Sequence, residues 1–262
     1  MIDEHRVSSW QDLQESLFAD AWNPTIKRFR SRYAFRGLAD ANYELNTSLT
    51  RLEGTYAEME PHLLRNFRKY AHGGLVEGNS VWHWLALAQH HGLPTRLLDW
   101  TFSPFVAMHF ATANLSKFDT DGVIWTMNYS AVHTHLPTPL AQALEHEGSD
   151  VFTVDMLSEQ AKSLSEFAGL SDTPFLLFLE PPSMDERIVN QYALFSCASV
   201  PHLDASGWLE KFPDLGRRIV IPAALKWEVR DKLDQANITE RVLFPGLDGL
   251  SRWLARTYRY RE

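Results

Sequence analysis

LALAQHHGLPTRLLDWTFSPFVAMHFAT, residues Leu85–Thr112, compresses a helix, a sharp turn, a strand and a second helix into 28 residues. Trp82 to Ala88 is apolar enough for a buried helix. Gln89, His90 and His91 follow, and Gly92-Leu93-Pro94 breaks the pattern. Arg96 to Trp100 reads as a strand, and after Thr101 and Ser103, Pro104 opens an apolar helix over Phe105–Ala111. The polar residues fall at the junctions, which helix patterning does not explain. Junctions held by a rigid scaffold are where binding chemistry concentrates.

Outward from this core the chain alternates strand and helix signals. Helices are expected at Ser9–Ala19, capped by Ser8 or Ser9, at Ile26–Arg30, Glu58–Tyr70, Lys226–Gln235 and Leu247–Thr257. Strands are expected at Tyr33–Gly37, Gly122–Met127, Phe175–Leu179, Tyr192–Ser196 and Arg218–Ile221. Residues 130–170 are mixed and read as loops and short helices. No repeat, low-complexity linker or composition break divides the chain. The expected architecture is a single α+β domain over 1–262, with an N-terminal helical segment to about residue 30 and mixed central sheets with flanking helices.

Composition bounds the function. A chain of 262 residues, 45% of them hydrophobic, buries a full core, and nine Trp with fifteen Phe exclude disorder. The net charge of −8 opposes long-range attraction to a nucleic-acid backbone, so the chain carries no strong nucleic-acid signal. Lys27, Arg28, Arg30 and Arg32 read as a solvated basic face. The lone Cys197 excludes an intrachain disulfide and any multi-cysteine zinc site. His83, His90 and His91 lack the spacing of a ligand pair, so no metal is expected. With no apolar run of about 18 residues and no signal peptide, a cytoplasmic protein without membrane contact is expected.

Arg36 ends a strand just before Gly37, where a guanidinium can grip phosphate oxygens and a glycine lets a ligand approach the backbone. Gln89, His90, Thr95, Arg96, Asp99, Thr101 and Ser103 put donors, acceptors and both charge signs within 15 residues. Asp99 and Arg96 equally suit a buried ion pair. Glu186 precedes a strand-like Arg187-Ile188-Val189 run, and Gln191 precedes the apolar Tyr192–Phe195 run. Asp248 is placed to cap the last helix. No P-loop and no Gly-x-Gly-x-x-Gly is present.

These residues resemble the FRG-domain family, named for the motif present here as Phe35-Arg36-Gly37. The resemblance runs on through Ser48-Leu49-Thr50-Arg51, Gln89 to Trp100, Asp121-Gly122, Arg187 to Gln191 and Phe244 to Leu250. A more distant resemblance is to ADP-ribosyltransferases of the arginine–serine–glutamate type. Phe35-Arg36-Gly37 is similar to their NAD-binding strand, and Thr101-Phe102-Ser103 with Ala107-Met108-His109-Phe110 to their second motif. At the third, Gln191 stands where those enzymes carry Glu. The resemblance implies an NAD-consuming transferase, with NAD as co-substrate, acting as a bacterial toxin or antiphage effector. Arg36 and Gly37 would then hold the diphosphate or ribose, and Thr101 and Ser103 the nicotinamide side. Gln191 or Glu186 would serve the ribose, while Gln89, His90, Thr95, Arg96 and Asp99 shape the site. A macromolecular acceptor or an antitoxin would be the partner. Two other readings stay open: a module that binds a nucleotide or NAD-derived ligand without turnover, and a hydrolase or nuclease built on His90, Asp99 and Glu186.

Overall fold

The computed structural model describes residues 2–71 and 80–260. Its strands are β1 (Asp3–Arg6), β2 (Trp22–Asn23), β3 (Arg28–Phe29), β4 (Tyr33–Leu38) and β5 (Leu97–Thr101). They continue with β6 (Gly122–Asn128), β7 (Phe152–Thr153), β8 (Leu176–Glu180), β9 (Ala193–Ala198) and β10 (Gly216–Ile221). The longer helices are α1 (Trp10–Phe18), α2 (Tyr56–Tyr70), α3 (Val81–His90) and α4 (Pro104–Thr112). After them come α5 (Tyr129–Val132), α6 (Thr138–Glu147), α7 (Val154–Gln160), α8 (Leu164–Ala168) and α9 (Glu186–Asn190). The C-terminal third adds α10 (Ala205–Lys211), α11 (Lys226–Gln235), α12 (Glu240–Leu243) and α13 (Leu247–Thr257).

Eight strands form one mixed sheet in the order β1-β10-β6-β4-β5-β9-β8-β7, with only the outer pairs β1–β10 and β7–β8 parallel. The fold is α+β. The sheet has one weak seam. β4 pairs with β6 along its whole length, from Tyr33 opposite Asn128 to Leu38 opposite Val123. Against β5 it is paired at a single position, Phe35 opposite Thr101. Beyond that point the Asp99 carbonyl accepts a hydrogen bond from the Arg36 Nη1 and not from a β4 amide. A side chain has replaced the ladder, and the strands part.

The core is organised around this seam. On one face a single apolar cluster crosses it, joining Ala34, Val123 and Met127 to Leu98, Trp100 and Leu194. On the other face there are two clusters. Phe35, Ile124 and Ile219 pack under α1, α4 and α11, while Leu97, Leu177 and Phe195 pack under α2, α3 and α7. Strand alternation does this sorting, since neighbouring residues point to opposite faces. The two helical layers stop short of each other over the seam, which leaves an opening between α3 and α4.

Three expectations are corrected. Ile26–Arg30 is not helical: Arg28–Phe29 pairs with Trp22–Asn23 in a hairpin, with Lys27 at φ 52° in the turn. Arg187-Ile188-Val189 lies inside α9 and not in a strand, because Asp185 accepts the Ile188 amide at 3.0 Å and caps a helix. Asp248 sits in the first turn of α13, whose N-cap is Gly246.

A buried histidine gives the fold an acid-sensitive point. The His133 Nδ1 lies 3.0 Å from the Asp150 carbonyl, and its Nε2 accepts the Phe178 amide at 2.8 Å. Those two bonds require the neutral ring, donating from Nδ1. Burial pushes its pKa down from 6.5 to about 4, opposed by the bond to Asp150. Between those values the unfolded chain binds a proton that the folded chain excludes, so stability falls as pH drops through this window. The expected loss is about 3 kcal/mol. His109, pushed down to about 3 by burial and then by Arg230, adds in the same direction. Urea unfolding from pH 6.5 down to about 4 measures it; an unchanged midpoint would contradict the neutral-ring geometry.

Candidate functional site

The opening over the seam is a cleft of about 660 Å³. Its floor is Phe35, Arg36 and Gly37 from β4 with Asp99, Trp100 and Thr101 from β5. Gln89, His90, His91, Gly92 and Leu93 form one wall, at the end of α3. Phe110 of α4 and the Arg187–Gln191 segment complete it. Segments some 150 residues apart in sequence therefore meet at one place.

Strand alternation puts Asp99 in the cleft. β5 is buried at Leu97, Leu98, Trp100 and Thr101, and Asp99 is its one exposed residue. Gln89 Nε2 donates to both Asp99 oxygens at 3.0 Å. The acceptor-only carboxylate fixes the way the carboxamide faces, and the Gln89 carbonyl in turn accepts from the Thr95 hydroxyl at 2.5 Å. Arg36 Nη1 stands 4.0 Å from the carboxylate, beyond hydrogen-bond reach, and its buried Nε has no partner among the described residues. Burial lowers the pKa of Arg36, Asp99 raises it, and Arg51 lowers it again. A guanidinium remains charged throughout.

Arg36, Gln89, His90, Asp99, Thr101 and Gln191 thus converge on the cleft. Within that group Thr101 is a tie, its hydroxyl donating to the Gln191 carbonyl at 2.7 Å. Gln191 follows α9 and precedes β9, as a strand-border residue should, but its carboxamide nitrogen is bonded to the Leu243 carbonyl at 2.8 Å. His90 Nε2 lies 2.6 Å from Asp185 at the rim.

Four of the expected contact residues are engaged within the fold. Thr95 is buried, holding Gln89 and receiving the Leu97 amide at 3.1 Å. Arg96 is buried against Glu60 and donates to the Ser199 carbonyl at 2.8 Å; its partner is Glu60, not Asp99. Ser103 caps α4 through the Val106 amide at 3.4 Å. Gly37 reaches the cleft, but its missing side chain makes room for α4: a Cβ there would lie 1.9 Å from the Ala107 carbonyl oxygen. Glu186 is exposed on a neighbouring groove of about 450 Å³ and does not line the main cleft.

Arg187, Phe110 and Ser48 also line the cleft and went unrecognised in the sequence. Each nevertheless sits in a stretch that the sequence singled out: Arg187 beside Gln191, Phe110 in Ala107-Met108-His109-Phe110 and Ser48 in Ser48-Leu49-Thr50-Arg51. Among the described residues no cluster of His, Cys, Asp and Glu is arranged to hold a metal ion. No helix among the described residues is long and apolar enough to cross a membrane.

Residues 31–120 match the model of the FRG domain. This chain carries an FRG domain. The matched segment runs from just before β4 to just after α4, so the FRG domain supplies the floor and the α3 and α4 walls. The Arg187–Gln191 wall is contributed by chain beyond it. No curated protein and no solved structure matches the chain.

Proposed function

We propose that the cleft binds NAD or a closely related nucleotide and that the chain is an ADP-ribosyltransferase-like enzyme. One observation carries this reading: Arg36, the Gln89–Asp99 pair and Gln191, far apart in sequence, meet over a split in the sheet. The cleft suits the ligand. Its volume of about 660 Å³ lies in the range of small-molecule sites. Arg36 places a guanidinium on the cleft floor, a group whose paired N–H donors suit a diphosphate. Phe35, Trp100, Phe110 and Phe195 supply apolar wall for rings. In the reaction the bond between the nicotinamide nitrogen and the ribose C1′ breaks, and its electron pair leaves with nicotinamide. The acceptor's nucleophile bonds to C1′ and gives up a proton.

A binding module without turnover is the second reading. It is favoured by Gln191, whose carboxamide is committed to the Leu243 carbonyl and is uncharged. Labelled NAD incubated with the protein and a cell lysate separates the two. Transfer or nicotinamide release supports the enzyme; tight binding without either supports the module; neither binding nor turnover overturns both.

Arg36→Ala is expected to cut transfer by about 10²-fold, the scale of one lost transition-state contact. Arg36→Lys keeps the charge without the planar fork and should recover only part of it. Both variants should melt within a few degrees of the parent. A large drop in midpoint for Arg36→Lys would make Arg36 a structural tie of the seam and nothing more.

A further inference from the structure

We infer that Asp99 is a ligand-contacting charge of the cleft and holds a cationic ring beside the anion that Arg36 binds. Among the described residues lining the cleft Asp99 is the only carboxylate, since Glu186 faces the neighbouring groove and Gln191 is neutral. Its side chain is 63% exposed on a strand whose other residues are buried. A carboxylate left open on a buried strand would ordinarily be free to move. This one is held. Gln89 grips both oxygens from one side, and the pair fixes its own orientation, because a reversed carboxamide would set the Gln89 oxygen against the acceptor-only carboxylate; the Thr95 hydroxyl then holds the Gln89 oxygen from behind.

Neutralising Arg36 is the competing role for Asp99. The two charges do attract at 4.0 Å, but no hydrogen bond joins them: the guanidinium spends its Nη1 bond on the Asp99 main-chain carbonyl, so the carboxylate keeps accepting capacity that Arg36 does not use. The two charges lie side by side, each with hydrogen-bonding capacity left over. Such a bipolar floor complements a ligand that is itself bipolar, an anionic phosphate joined to a positively charged ring. Oxidised nicotinamide dinucleotide has that character, and its reduced form carries a neutral ring. The choice of dinucleotide rests on the function proposed above; the preference for a cation rests on Asp99 alone.

Calorimetry with five probes tests this on the full chain: oxidised dinucleotide, reduced dinucleotide, the 1-methylnicotinamide cation, neutral nicotinamide and ADP. Each cationic probe is expected to bind roughly five- to tenfold tighter than its neutral counterpart, the scale of a partly exposed charge contact. Asp99→Asn keeps the shape and the Gln89 contact and should erase that preference with little change in thermal midpoint. Equal binding of cationic and neutral probes by the parent would overturn the inference, and so would a preference that survives Asp99→Asn. If neither dinucleotide binds while the methylnicotinamide cation is preferred through Asp99, the nucleotide reading fails and the inference stands. If Asp99→Asn instead tightens ADP and leaves the cation preference intact, Asp99 only balances Arg36. That result overturns the inference too.

Discussion

Arg96→Met should destabilise the chain by about 3–5 kcal/mol, the cost of leaving one member of a buried ion pair without the other. Glu60 is 1% exposed and Arg96 is 5% exposed, so water cannot take over the lost partner. Two of the Glu60 contacts to Arg96 Nε are 2.9 Å long, and the Arg96 Nη1 bond to the Ser199 carbonyl would be lost with them. Burial lowers the Arg96 pKa, but the Glu60 hydrogen bonds and charge outweigh it, leaving the value raised. The guanidinium fastens α2 and the end of β9 to the start of β5, so the loss should also loosen the strand that carries Asp99. Urea unfolding of Arg96→Met, Glu60→Gln and the double variant gives the measurement. The double variant should recover a substantial part of the loss, because a neutral Gln beside Met strands no charge. Single variants that cost under about 1 kcal/mol would mean that the pair is solvated.

Gly37→Ala is expected to be as damaging for a different reason. The added Cβ would meet the Ala107 oxygen at 1.9 Å, the Ala111 nitrogen at 2.7 Å and the Ala107 carbonyl carbon at 2.9 Å. All three are backbone atoms, so no rotamer change relieves the clash and α4 must move off β4. About 3 kcal/mol is expected, the upper range for overpacking. Displacing α4 also shifts Phe110 and the cleft wall, so ligand binding should weaken together with stability. Gly169→Ala is the control: its nearest contact would be an ordinary 3.5 Å. It should change stability by no more than about 0.5 kcal/mol. Equal midpoints for the two variants would show that α4 is not held against β4 as described.

The strands β4, β6, β8, β9 and β10 and the helices α1, α2, α11 and α13 were legible in the sequence to within a few residues. The helices show an apolar face at a local period and the central strands β6, β8 and β9 a short continuous apolar run, signals that need no knowledge of the partner. The special character of Leu85–Thr112 was legible too, because its polar residues sat where no helix period puts them. β1 was not: Asp3–Arg6 is exposed throughout and is a strand only because β10 lies beside it. Nor was α9, where the strand preference of Ile188 and Val189 yields to the Asp185 cap.

In the site the division is sharper. The sequence by itself singled out the polar residues that patterning leaves unexplained, from Arg36 through the Gln89–Thr101 cluster to Gln191. Only the tertiary structure decided which of them line the cleft. Arg96 and Asp99 stand three residues apart with opposite charges, and the sequence offers them as a pair. In the fold Glu60, 36 residues before Arg96, takes the guanidinium into the core and leaves Asp99 in the cleft. Charge and hydrogen-bond partners are chosen by distance in space, and patterning along the chain reports only which face a residue occupies.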